Sequence, residues 1–348
     1  MKKIIIILIF LLLTGCNYIE LNDMGIVTLM SIKYENNNYN IILEIDENKK
    51  EEEKSIYYEA SASSIEKAIE EVSLRINKEL YFIDLNVILI DQDTVNKKLT
   101  QIIDYLTRDV MFGTNFNIVI DNDAKKTIDT IKEKEKIAGD YIKNIFNNSD
   151  NIIDIKYYDL LRDFLNPNID IILPYGKVIK NEYIINEATI FNKDKIITNI
   201  NLDMIKIYNL LTNKDSNILF QINYQNQDLI FKVSKSKSKI KYDNEILLDI
   251  NVTGSFIEME SIELENFKIS EEIIIVLENK IKEEINLLTN KLIINDSDIL
   301  KFKKAYFNKK RKEINSISNL KYNTKVKVNL DREGLIFDSI GDIYEKNK

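Results

Sequence analysis

The sequence predicts a mixed α/β (α+β) protein of several lobes. Strand and helix patterns alternate over residues 24–134, strand patterns then follow one another between residues 183 and 253, and a helical stripe runs from Ile273 to Ile294. These observations predict an N-terminal α/β domain with a partly parallel sheet, and a C-terminal region with a mixed or antiparallel sheet and one long helix. The 348 residues suffice for two or three domains of roughly 100–200 residues each.

The first elements are a pair of strands and a helix. Met24 to Tyr34 and Tyr39 to Ile45 predict antiparallel strands, and the charged segment 46–54 predicts a solvated loop. Ser63 and Glu66 have capping-box spacing. Behind them, apolar residues fall on one helical face: Ile65, Ala68, Ile69, Val72 and Ile76.

Two buried strands and two further helices complete the first half. Leu85 to Ile90 and Asn115 to Ile120 have the apolar character of buried strands. Ala124 to Lys134 predicts a helix, and an earlier helix between the strands turns one set of residues inward: Val95, Leu99, Ile102, Ile103 and Leu106. This order indicates helices packed on a partly parallel sheet.

A polar stretch marks the domain boundary. Residues 134–170 are irregular with short helical pieces, and the two prolines, Pro167 and Pro174, punctuate its end. We therefore divide the chain into residues 1–15, 16–180 and 181–348, the last of which has room for two lobes.

The C-terminal region begins with a predicted hairpin, Tyr183 to Phe191 and Ile196 to Ile200, followed by a short helix from Leu202 to Leu211. Three stretches then alternate as strands do: Asn217 to Tyr224, Asp228 to Ser234 and Lys237 to Thr253. Ser234 to Lys239 reads SKSKSK. We interpret it as an exposed strand with a solvated face rather than as a basic binding patch.

The longest helix is predicted from Ile273 to Ile294, with Ser270 as its N-cap. Six residues form its apolar stripe: Ile273, Leu277, Ile281, Ile285, Leu288 and Leu292. A core-facing role is favoured over a partner-binding groove. The chain closes with a strand from Thr324 to Leu330 and a turn into residues 335–340.

Composition limits the chemistry. The chain has no histidine and one cysteine, which excludes Ser–His and Cys–His catalysis, and no cofactor or metal motif is present. A net charge of −8 predicts no non-specific affinity for nucleic acid or anionic lipid. Three carboxylate pairs lie at predicted element ends, where capping is the expected role: Asp91/Asp93, Asp121/Asp123 and Asp296/Asp298. A carboxylate-only hydrolase stays open, although no motif favours one.

The N-terminus has the pattern of a lipoprotein signal peptide. Lys2 and Lys3 precede an apolar run from Ile4 to Leu13, which is too short for a comfortable membrane span. Leu13-Thr14-Gly15-Cys16 resembles the bacterial lipobox. We expect cleavage before Cys16 and attachment of diacylglyceryl and N-acyl groups, such as palmitate, to Cys16. Two or three acyl chains anchor a protein stably.

Five segments follow one another in order after the lipobox: Glu20 to Val27, Glu79 to Ile90, Ile103 to Asp109, Ala188 to Phe191 and the tail with Gly334. Together with the lipobox, they resemble the spore germination lipoproteins of the Ger(x)C (GerAC) type. The chain departs from the family at three places. Asn17 stands where the family often has Trp, and Ile83-Asp84 stand where it has Gly-His. The family's C-terminal stretch, similar to ADIFGFG, is reduced here to Lys304 to Asn308.

The resemblance implies a multi-lobed α/β protein that acts as the C subunit of a nutrient germinant receptor. Such a subunit is anchored by lipid at the outer face of the spore inner membrane, works beside two integral membrane subunits of the A and B type, and is not an enzyme. No cofactor is expected. A solute-binding lipoprotein of a transporter is the alternative, and a surface hydrolase is the third class. The sequence leaves the germinant, the interface residues and the transmitted signal open.

Overall fold

The computed structural model describes residues 24–46, 55–134, 137–214, 217–259 and 271–331. Cys16, the charged segment 47–54, Ser270 and the predicted turn and strand after residue 331 lie outside these ranges.

The described residues form thirteen strands and eight helices. The strands are β1 Met24–Glu35, β2 Asn38–Asp46, β3 Ser55–Ala62, β4 Glu79–Tyr81, β5 Val87–Asp91, β6 Asn117–Asp121, β7 Ile171–Ile179, β8 Glu182–Asn192, β9 Lys195–Asn201, β10 Leu219–Tyr224, β11 Gln227–Tyr242, β12 Ile246–Met259 and β13 Tyr322–Leu330. The helices are α1 Ile65–Ser73, α2 Gln92–Arg108, α3 Ala124–Lys132, α4 Ala138–Asn148, α5 Tyr157–Phe164, α6 Leu202–Leu211, α7 Glu271–Ile294 and α8 Phe302–Lys310.

The first sheet is mixed and has a parallel centre. Its order is β3-β2-β1-β5-β6-β7-β8-β9, and β4 pairs with the start of β1. β1, β5, β6 and β7 run parallel, whereas β2, β3, β8 and β9 attach as antiparallel strands at the two edges. The predicted class, a partly parallel α/β sheet followed by a second sheet, is confirmed.

Helices cover both faces of the parallel centre. Met30 and Ile32 of β1 belong to a core that α1, α2 and α5 close on one face. Leu29 points to the other face, where α3 and α4 pack. Successive side chains of a strand point to opposite faces, and helices bury both faces here. These strands are therefore continuous apolar runs in the sequence.

The second sheet has the order β10-β11-β12-β13, and β12–β13 is its parallel pair. All six stripe residues of α7 are buried in the core on one face of this sheet, together with apolar residues of α6. The prediction that the stripe faces a core is confirmed.

The β8–β9 hairpin joins the two lobes. Its predicted strands and turn are confirmed, and β8 pairs with β7 as part of the first sheet. Phe191 packs in the first core, whereas Ala188 and Ile190 pack in the core of the second lobe. The boundary at residues 180 and 181 stays a prediction, because the first sheet extends through the hairpin beyond it.

Three predictions about the first half need correction. The N-cap of α1 is Ser64, which accepts a hydrogen bond from the Lys67 amide, and not Ser63. β3 follows the charged segment and was not predicted, because its polar and small residues hide its alternation. The stretch 134–170, predicted as irregular with short helical pieces, is more regular than expected, since α4 and α5 cover much of it.

One correction concerns the second half. β11 runs without interruption through SKSKSK to Tyr242, so the predicted strand from Lys237 to Thr253 was wrong. The chain reverses at residues 243–245 instead. Ser238 is buried and donates to the Leu210 carbonyl of α6, which lets a polar residue occupy an inward position.

Candidate functional site

Cys16, the predicted lipidation residue, precedes the described chain, which enters the first sheet at Met24. The described residues show which other side chains could carry chemistry. The carboxylate pairs, two clefts and a buried carboxylate are the places where chemistry would be expected.

The first two pairs cap helices. Asp91 is the N-cap of α2 and accepts from the amides of Asp93 and Thr94 at 3.1 and 3.2 Å. Asp123 caps α3 by accepting from the Lys126 amide at 3.1 Å. Each carboxylate satisfies amides that have no partner within the helix.

Asp121 lies fully buried at the end of β6. It accepts from the Thr127 hydroxyl at 3.1 Å and from the Asp123 amide at 2.8 Å. Burial raises the pKa of the Asp121 carboxyl to about 6, and these hydrogen bonds only partly oppose that shift. Its role is to tie the strand end to the first turn of α3.

The third pair organises the segment between α7 and α8. Asp296 accepts from the Ile317 amide at 2.7 Å, and Asp298 accepts from the amides of Phe302 and Lys303 at 2.6 and 2.9 Å. Burial raises the pKa of Asp298 to about 6. The predicted capping and turn roles are confirmed for five of the six carboxylates: Asp91, Asp121, Asp123, Asp296 and Asp298.

A buried carboxylate that was not predicted holds the start of α4. Glu44 of β2 has no exposed surface and accepts from the amides of Ala138 and Gly139, both at 2.7 Å. It also accepts from the Thr28 hydroxyl at 2.8 Å. The negative charge thus lies at the positive end of the α4 dipole.

Hydroxyl groups of β3 complete this arrangement. Ser55 donates to Glu44 at 3.0 Å, and the Tyr57 hydroxyl donates to the same oxygen. Burial, and then the adjacent carboxylate, raise the pKa of Tyr57 well above its usual range. A single charged residue in the predicted strand YNIILEI was the available signal. The cluster is a structural clamp between β1, β2, β3 and α4.

The first cleft lies at the carboxyl ends of the parallel strands, beside the start of α3, and has a volume of about 560 Å³. Open α/β sheets bind ligands at this edge. Here the charged groups are engaged with one another, since Lys125 pairs with Glu59 at 2.8 Å and Lys33 with Glu35 at 3.1 Å. We assign this cleft no role.

The second cleft lies between the lobes and has a volume of about 390 Å³. Arg162 pairs with Asp159 and, at 3.0 Å, with Asp163, while Lys301 of the second lobe reaches Asp163 at 3.5 Å. Lys214 donates to a backbone carbonyl before α5 at 2.5 Å, and burial lowers its pKa. This cleft is a charged seam between the lobes.

Among the residues described, no three His, Cys, Asp or Glu side chains come together as a metal ion would require. None of the helices in the described ranges is both long and apolar enough to cross a bilayer.

These observations define a two-lobed α/β protein in which the paired carboxylates serve as caps and clamps. Two family models match the chain: "Spore germination protein N-terminal domain" over residues 17–178, and "Spore germination B3/ GerAC like, C-terminal" over residues 186–334. The chain therefore belongs to the Ger(x)C family of spore germination proteins. The resemblance seen in the sequence is confirmed.

A solved structure titled "Crystal Structure of the GerBC protein" has a similar fold. It superposes with a TM-score of 0.58 at 14% sequence identity, covering 86% of this chain and 96% of that chain. At this identity the likeness shows the shared fold alone. No curated protein matches the chain in sequence.

Proposed function

We propose that this chain is the lipid-anchored C subunit of a spore nutrient germinant receptor. The observation that carries the proposal is the match of both halves to Ger(x)C family models, the first of which begins at residue 17, directly after the lipobox cysteine. The family consists of non-catalytic receptor subunits. The subunit would lie at the outer face of the spore inner membrane, beside two integral membrane subunits, and be required for germination.

The anchor would set an upper limit to the distance between the first lobe and the bilayer. Cys16 and Met24 are separated by eight Cα–Cα steps, which reach at most about 29 Å even when fully extended. Acyl chains on Cys16 would hold the lobe within this distance of the membrane and of its neighbours. Such confinement raises the effective concentration of the subunit beside its partners without any new contact.

Replacement of the modified residue tests this proposal. In spores carrying Cys16→Ala, we expect the protein to leave the membrane fraction and the response to nutrients to weaken. Asn17→Ala is the matched control, since it changes the neighbouring residue and leaves the acyl acceptor in place. Membrane retention and normal germination with Cys16→Ala would refute the anchor and its role.

The cleft between the lobes supports a second candidate, a solute-binding lipoprotein of a transporter. Binding sites of this class are clefts with convergent polar groups, and the cleft with Arg162 and Lys214 has this character. Thermal-shift screening with amino acids and sugars separates the candidates, because a tightly bound solute raises the melting temperature. Loss of that shift in Arg162→Ala would assign the solute to this cleft, and no shift with any solute would refute the candidate.

A further inference from the structure

One face of the second sheet is not covered by any helix of the described ranges, although α8 borders it beside Lys241. Apolar residues of β11, β12 and β13 pack towards α6 and α7, and the alternate residues point the other way. Seven exposed lysines lie on this outer side, which we name the lysine face: Lys232, Lys235, Lys237, Lys239, Lys241, Lys325 and Lys327. Positive charge is therefore concentrated on one surface of a chain whose net charge is −8.

Strand pairing brings together lysines that are far apart in the sequence. Lys237 and Lys327 lie on either side of Asn251, and Lys239 and Lys325 on either side of Asp249. With strands about 4.8 Å apart and residues rising about 3.4 Å, the seven charges occupy an area of roughly 27 by 10 Å.

These charges have little local compensation. Asp249 is exposed between Lys239 and Lys325, and Asp331 lies at one end of the face, where it accepts from the Ser234 hydroxyl at 2.7 Å. No lysine of the face forms an ion pair or a side-chain hydrogen bond with another residue of the described ranges. Like charges at such short spacing repel one another, so a negatively charged surface would stabilise this arrangement.

The composition of the lysine face indicates what kind of surface it fits. Protein interfaces are enriched in aromatic residues and arginine and depleted of lysine. Single-stranded nucleic acid is bound on aromatic platforms, and no aromatic side chain lies on the outer face of the described parts of β11, β12 and β13. Lysines are point charges that do not require a fixed partner geometry, which suits a layer of mobile anionic headgroups.

We infer that the lysine face lies on the anionic phospholipid headgroups of the membrane that holds the acyl anchor. The inference rests on the proposed function, because the proposed anchor would hold the chain at a bilayer. A basic patch and acyl chains are complementary membrane signals. Near an anionic leaflet each lysine contributes about a fivefold gain in binding.

Lysine reactivity on vesicles tests the inference. The acylated full-length chain is reconstituted into vesicles of phosphatidylcholine, with or without phosphatidylglycerol, and acetylated briefly before mass spectrometry. We expect the lysine face to react about fivefold or more slowly on the anionic vesicles. The difference should vanish when salt shortens the Debye length from about 8 Å to about 3 Å. Exposed lysines elsewhere are internal controls and should not change: Lys67, Lys97, Lys126 and Lys282.

A charge variant and its matched control sharpen the test. Replacing Lys237, Lys239, Lys325 and Lys327 by Gln should abolish the protection of the three remaining lysines of the face. Replacing the four control lysines by Gln removes the same charge and should leave the protection intact. All eight positions are exposed, so both variants are expected to fold.

Each outcome is decisive. Equal reactivity on neutral and anionic vesicles would overturn the inference. Protection that develops only when an acidic protein or a nucleic acid is added in place of the anionic vesicles would also overturn it. Flotation with neutral vesicles reports the acyl anchor separately. Loss of flotation would therefore refute the proposed anchoring, whereas a reactivity difference between the two lipids reports the lysine face alone.

Discussion

The buried carboxylate of Glu44 allows a sharp test of how α4 is held. In Glu44→Gln, an amide NH₂ replaces one of the two carboxylate oxygens, each of which accepts an α4 amide at 2.7 Å. Hydroxyl donors can rotate, but the amides of Ala138 and Gly139 cannot, so one buried N–H loses its acceptor. That loss costs about 1–3 kcal/mol, and the remaining bonds weaken because they are no longer charge-assisted.

The neutral side chain is easier to bury, which offsets part of this cost. We therefore expect Glu44→Gln to lower the free energy of unfolding by about 3 kcal/mol. Urea unfolding followed by circular dichroism measures it, since the chain has no tryptophan for fluorescence. Glu35→Gln is the control: its exposed ion pair with Lys33 predicts a change below about 0.5 kcal/mol. A Glu44→Gln variant as stable as wild type would refute the clamp.

Three further predictions concern packing and pH. Gly139→Ala should destabilise the fold by about 2 kcal/mol or more, because a Cβ there would lie 2.5 Å from a β1 carbonyl oxygen. Gly25→Ala is the control and should be nearly neutral, because the nearest atom would lie 3.4 Å from its Cβ. The melting temperatures of the two variants test this difference. The pKa of buried Asp121, about 6, lies above the value of 3.8 for the unfolded chain, so the protonated form favours the fold and stability should fall as pH rises through 4 to 6. In the wild type, this group should make the unfolding free energy about 1 kcal/mol larger at about pH 5 than at about pH 7.5. Asp121→Asn should remove that difference, and an unchanged pH profile in the variant would contradict the prediction. Leu277 is buried, and Leu277→Ala should lower the free energy of unfolding in urea by about 2–5 kcal/mol. Leu287 is more than half exposed, and Leu287→Ala should lower it by less than about 0.5 kcal/mol. Equal losses would contradict a core-facing α7.

The sequence predicts elements well where apolar periodicity is strong. α6 was predicted with its observed bounds, and the stripe of α7 faces the core as expected. β11 was divided in two because Ser236 and Ser238 occupy inward positions where alternation calls for apolar residues. The hydroxyl of Ser238 finds its acceptor on α6, a tertiary contact that strand periodicity does not contain.

Local sequence patterns also miss candidate binding surfaces that tertiary contacts assemble. SKSKSK was interpreted as a solvated face, and its lysines are indeed exposed. The parallel pairing of β12 with β13 brings Lys325 and Lys327 alongside them, and this pairing of distant segments could not be read from local patterns. Net charge does not show this cluster of lysines, because it averages over surfaces that the fold separates. Cys16, in contrast, is predicted from a contiguous motif.

Strand β8 has a consequence for truncation. It supplies Phe191 to one hydrophobic core and Ile190 to another, while Tyr183 and Ile185 pack under α3 and α4. A fragment that stops at residue 180 would uncover β7 along its whole length and strip apolar partners from every layer. The halves that the two family models delimit are thus not independent folding units, and neither is expected to fold when expressed alone.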